Sequence, residues 1–146
     1  MPNHLKIPEG NLAGCLQSII NEGFGQGSFI SMYMGLYNSN YTPTNTDTLA
    51  TYTAIESTFV GYTRQLVAVG NWSTAAQTGQ IAYTNNTVIV FTAGILLGSE
   101  TQYGYFMTDQ SGTFLLWAQL FDTPVVISTD GQVLALIPNF TFSSEY

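Results

Sequence analysis

The 146 residues suit a single domain, and a hydrophobic content of 45% is enough to bury a core. Only 8% of residues are charged, and nine acids against Lys6 and Arg64 leave a formal charge of −7. Two cations can neither displace the counterions of a polyphosphate nor hold an anionic bilayer, so nucleic acid and membrane are excluded as partners.

Residues 1–8 read as an extended arm. Asn11 then caps a short helix whose apolar positions, Leu12, Cys15, Leu16, Ile19 and Ile20, follow helical spacing. Gly23, Gly25 and Gly27 form a hinge after it. The chain therefore divides into residues 1–27, an arm with its helix and hinge, and residues 28–146, a β domain. Phe29 to Tyr37 is apolar at nearly every position, the pattern of a strand covered on both faces. Asn38 to Thr48 is a loop of turn formers, and Leu49 to Thr58 fits either a short helix or irregular structure. Further strands are expected at 62–69, 81–83, 88–92, 103–108, 113–121, 124–128, 133–137 and 140–143. The turns between them fall at Gly70-Asn71, Asn85-Asn86, Asp109-Gln110-Ser111-Gly112 and Asp130-Gly131. The expected fold is all-β: an antiparallel β-sandwich or barrel preceded by a short arm and helix.

Chemistry is sparse in this chain. His4 lies in the arm, without the rigid surround that a general base requires. Cys15 sits on the apolar face of the helix with no second histidine to activate it, so it reads as a small hydrophobe. One histidine and one cysteine do not make a zinc site. Neither residues 109–112 nor residues 122–130 carry the dense acids of a calcium loop. No metal, no cofactor and no enzymatic activity are therefore expected. Lacking a second cysteine for a disulfide and an apolar leader, the chain is expected to be made in a reducing cytoplasm.

Aromatics are the remaining resource. Trp72 near a turn and Tyr33, Tyr37, Tyr41, Tyr52, Tyr62, Tyr103 and Tyr105 suit sugar stacking or protein interfaces, while Trp117 reads as core. The candidate interface residues are Leu12 and Ile19 on the helix, Phe29 and Tyr33 on the doubly apolar strand, and Arg64. As the only arginine, Arg64 is suited to an anchoring ion pair within an oligomer or with a partner.

Three segments are the most distinctive: LYNSNYTPTNTDTLATYTAIESTFVGY (36–62), NTVIVFTAG (86–94) and YGYFMTDQSGTFLLWAQLFDTPVVI (103–127). Together their order resembles the small virion structural proteins of tailed bacteriophages, mostly the capsid-decorating or cement kind. The resemblance implies a non-enzymatic role and a homo-oligomer, with a trimer the expected form. It also implies a location on the capsid exterior after assembly in the host cytoplasm, with the phage major capsid protein as partner. A tail or baseplate component contacting a host receptor is the alternative within the same resemblance. A carbohydrate-binding module using exposed tyrosines and Trp72 is the alternative outside it.

Overall fold

The computed structural model describes residues 13–14, 31–79 and 81–143. Its strands are β1 (Ser31–Tyr37), β2 (Gln65–Ala68), β3 (Ala76–Thr78), β4 (Ile81–Asn85), β5 (Ile89–Thr92), β6 (Glu100–Thr108), β7 (Leu115–Ile127), β8 (Val133–Leu136) and β9 (Asn139–Ser143). A five-residue helix, α1 (Leu49–Thr53), sits in the β1–β2 connection. The fold is all-β with antiparallel pairing, and among the described residues the strands form three sheets ordered β2-β1-β6-β7, β3-β4-β9 and β5-β8. Ala13 and Gly14 have helical backbone, but the rest of the expected arm, helix and hinge lies outside the described residues.

The strands fall into two compact units. One comprises Ser31–Val67 and Ile89–Leu136, and the other is built on Ala68–Val88 with β9. The smaller unit holds the β3-β4-β9 sheet, in which β4 alternates exposed and buried residues. Its buried polar side chains are satisfied locally. Thr84 Oγ1 donates to the Ser73 carbonyl at 2.7 Å, and Asn86 Nδ2 donates to the Ala68 carbonyl at 3.0 Å. Unpaired, each would cost about 1–3 kcal/mol. Trp72, which the carbohydrate-binding alternative requires at the surface, is 8% exposed.

The larger unit is organised by two glycines. Antiparallel register places Gly35 opposite Phe106 and Tyr37 opposite Gly104. Each glycine thus faces an aromatic ring across the strand pair, and the ring lies down over the space a side chain would fill. A Cβ on Gly35 would meet the Phe106 ring, and one on Gly104 would meet the Tyr37 ring and the Gln119 carbonyl. Tyr52 of α1 packs onto both rings, stacked on Phe106 at 5.5 Å and edge-on to Tyr37 at 5.4 Å between centroids. All three aromatics are fully buried. This contact face explains why the ambiguous 49–58 segment begins as a helix. One turn suffices to present Tyr52, and Thr51 Oγ1 accepts the otherwise unpaired Thr48 N–H at 3.2 Å.

Beside this cluster, Asp47 gathers the loop that carries α1. It accepts hydrogen bonds from the Tyr41 hydroxyl at 2.7 Å, the Tyr52 hydroxyl at 2.8 Å and the Thr44 hydroxyl at 2.6 Å. Those donors, the Thr44 hydroxyl first, hold its carboxyl well below the usual carboxylate range. The tyrosines move the other way. Burial, reinforced by Asp47, pushes the Tyr37 phenol up to about 12. Burial followed by the Asp47 hydrogen bond raises Tyr52 further still. A phenol raised in the folded state contributes stability below its unfolded value and loses that contribution as pH rises through the folded one. Stability is therefore expected to fall from about pH 10 through about pH 12. Absorbance titration should show Tyr37 and Tyr52 ionising together with unfolding. Ionisation of every tyrosine near pH 10 in a still-folded protein would contradict this core.

Two expected strands, 113–121 and 124–128, are one strand, β7, despite Pro124. In the β6-β7 ladder Gly104 pairs with Leu120 and Gln102 with Val125, and the register shifts between them. Pro124 falls in that irregular stretch of the sheet's outermost strand, where a missing N–H breaks no ladder bond.

Candidate functional site

Of the five residues expected to form an interface, Leu12, Ile19 and Phe29 lie outside the described residues. Tyr33 and Arg64 are described, and the structure brings them together as walls of one cavity in the larger unit.

Arg64 was expected to lie on a strand spanning 62–69, but strand pairing starts only at Gln65. Residues 62–64 instead lead into β2 along the edge of β1 that faces away from β6. Earlier in the chain, Glu56 forms an isolated antiparallel bridge with Tyr37, and Ser57 N–H donates to the Leu36 carbonyl at 3.0 Å. The neighbouring Leu36 N–H is taken by the Tyr62 hydroxyl at 3.0 Å. That hydroxyl donates in turn to Glu56 Oε1 at 2.7 Å. Arg64 completes the node as a two-pronged ion pair, with Nε to Glu56 Oε1 at 2.8 Å and Nη2 to Oε2 at 2.7 Å. Its guanidinium also lies over the Phe106 ring, 5.1 Å from the centroid. Burial and the Glu56 carboxylate push the Tyr62 phenol up. Arg64 is therefore an intramolecular anchor, held along its Nε–Nη2 edge by Glu56 and seated on Phe106, while Nη1 is left toward the cavity.

The opposite wall is the β6–β7 hairpin turn. Asp109 Oδ1 accepts the N–H groups of Thr113 at 2.8 Å and Phe114 at 2.7 Å, and Oδ2 accepts the Ser111 N–H at 3.1 Å and the Ser111 hydroxyl. Burial pushes this carboxyl up, but the donors outweigh it and leave it below its ordinary value. Its stabilising contribution is present above the unfolded value, near pH 4, and is lost as pH falls through the folded one. Melting temperature is expected to drop as pH falls below about 4, and Asp109→Asn should shrink that drop. An acid limb unchanged by Asp109→Asn would show that the turn does not depend on this carboxylate.

Glu100 is occupied in the same way, accepting from the Thr58 N–H at 3.0 Å, the Thr58 hydroxyl at 2.7 Å and Gln102 Nε2 at 2.9 Å. The carboxylates of Asp47, Glu100 and Asp109 thus each hold nearby backbone N–H groups, and that of Glu56 is taken by the Tyr62 and Arg64 side chains. Among the described residues no three His, Cys, Asp or Glu side chains converge on a point.

One surface feature has no clear signature in the sequence. The loop after β5, Gly94 to Ser99, displays Leu97 at 97% exposure and Ile95 at 76%. It is pinned. Gly94 N–H donates to the Val60 carbonyl at 2.6 Å, and Leu96 N–H donates to Asp130 Oδ1 at 2.7 Å. The neighbouring β5-β8 ribbon continues the apolar display. Register pairs Val90 with Ala135 and Thr92 with Val133, and these four are its exposed residues. Burying Ile95 and Leu97 would each be worth about 1.5–3 kcal/mol, a gain the described residues do not collect. The sequence signal was an apolar triplet bracketed by Gly94 and Gly98, which reads as the ragged end of a strand.

No protein-family model, no curated protein and no solved structure matches this chain.

Proposed function

We propose that this chain is a non-catalytic virion structural protein of the capsid-cement or decoration kind. In this reading it docks on major capsid protein subunits as a homo-oligomer, a trimer, and reinforces the shell from outside. The observation that carries the reading is the pinned apolar loop. Two large aliphatic side chains held in water by a hydrogen-bonded backbone are a preformed contact for another protein, because docking them requires little further ordering. The outward valines of the β5-β8 ribbon widen that contact. The low charge of the chain leaves little repulsion between copies crowded on a lattice. The resemblance of segments 36–62, 86–94 and 103–127 to tailed-phage virion proteins supplies the identity of the lattice.

Particle reconstruction with labelled protein tests the assignment. Density on the capsid shell at a local symmetry axis, together with a trimeric mass in solution, is the expected result. Density confined to the tail or baseplate would overturn the capsid assignment and favour the receptor-contacting alternative. A strict monomer absent from purified particles would overturn the structural role altogether.

A further inference from the structure

We infer that the cavity between Tyr33, Arg64 and the β6–β7 hairpin turn is a binding site for one neutral hydroxylated ring, a single sugar unit. It encloses about 240 Å³ and is lined by Tyr33, Arg64, Thr108, Gln110, Ser111 and Gly112. Drug-sized pockets run from about 300 to 1,000 Å³, so this one takes a single ring and not a chain of them.

Four of the lining residues carry hydrogen-bonding capacity unspent among the described residues. Arg64 uses Nε and Nη2 on Glu56, which leaves the Nη1 donors. Nη1 lies at the hairpin tip, 3.7 Å from where a Cβ on Gly112 would sit. The Tyr33 hydroxyl and the exposed Gln110 amide make no hydrogen bond there either, and the amide offers both a donor and an acceptor. Thr108 Oγ1 spends its proton on the Asp109 carbonyl at 3.1 Å and keeps lone pairs to accept.

The walls are fixed before any ligand arrives. Arg64 is clamped by Glu56 and seated on Phe106, Tyr33 is paired across the strands with Thr108, and the turn is held by Asp109. Such preorganisation suits a small ligand that cannot supply ordering energy of its own.

Charge selects the ligand class. The Arg64 charge is already balanced by Glu56, Asp109 stands behind the turn, and the whole chain is at −7, so a free carboxylate or phosphate gains little. A cation would meet the guanidinium. An apolar group would strand the Nη1 donors. A sugar ring presents hydroxyls that both donate and accept, and its apolar C–H face can lie on a tyrosine.

Chemical-shift titration of the full chain with methyl hexosides, and separately with acetate, phosphate and acetamide, tests the site. Hexosides at tens of millimolar are expected to shift the amides of Tyr33, Thr108, Gln110 and Ser111. Gln110→Ala, at an exposed side chain free of hydrogen bonds among the described residues, should weaken binding by about fivefold to tenfold without moving the melting temperature. Tyr33→Phe should weaken it by a similar factor, and melting of each variant confirms the fold. No shift with any hexoside would overturn the inference. Acetate or phosphate binding in preference would overturn the neutral assignment, and acetamide matching the best hexoside would replace the sugar with an amide group.

Discussion

Gly104→Ala is expected to lower stability by about 3 kcal/mol and melting temperature by about 10 °C. The added methyl would enter space held on one side by the Tyr37 ring and on the other by the Gln119 carbonyl. Neither can move cheaply. The Tyr37 hydroxyl is tied to the Gln119 carbonyl at 3.2 Å, and its ring is packed edge-on against buried Tyr52. The carbonyl belongs to β7, whose register is set by Phe106 opposite Ala118 and Gly104 opposite Leu120. Gly98→Ala is the matched control, because a Cβ there meets nothing within 4 Å; its effect should stay within about 0.5 kcal/mol. Urea unfolding of both variants decides the point. Equal, small effects would mean that the aromatic rings do not lie on the sheet as described.

The second large effect is expected at the β1 edge. Arg64→Met should cost about 2–3 kcal/mol. It leaves the Glu56 carboxylate half-buried without its counter-charge while keeping most of the apolar contact with Phe106. A fully buried pair would cost more when broken. Here the side chains are 24% and 19% exposed, so water recovers part of the loss. Glu56→Gln should cost about 1 kcal/mol, since the amide oxygen can still accept from Tyr62. Because the three residues act as one unit, Arg64→Met and Tyr62→Phe should combine non-additively, with a coupling of about 1 kcal/mol. Strict additivity in denaturant titrations would mean that the node is three separate contacts.

The sequence disclosed the fold class and several turns because these depend on local chemistry. Asp109 and Gly112 mark the β6–β7 turn whatever surrounds them, and Gly112 takes a φ of +67°. The doubly apolar run Phe29 to Tyr37 identified a strand whose described part, Ser31–Tyr37, is buried at nearly every position. Long-range pairing was not legible. Nothing local to Gly35 or Gly104 says that a ring from the neighbouring strand will cover it, because that depends on register. Tyr62 and Arg64 read as strand residues because they alternate with Thr63. Their actual role depends on Glu56, six and eight residues earlier, reaching the same edge of β1. β3 was missed because Ala76-Gln77-Thr78 has no apolar alternation, and its pairing with β4 defines it. By residue type alone Arg64 and Tyr33 suit an interface, within an oligomer or with a partner. The structure places both at one cavity, with Arg64 committed to Glu56. The exposed loop went unnoticed because a patch is a property of the folded surface and not of a stretch of sequence.

The most direct test of the account is co-sedimentation of the protein with empty capsid shells, comparing wild type with an Ile95→Asp, Leu97→Asp double variant. Both side chains are exposed, so the variant should fold and melt like wild type. Binding by wild type and at least about a hundredfold weaker binding by the variant is the predicted result. Undiminished binding by a folded double variant would contradict the claim that this loop is the docking surface.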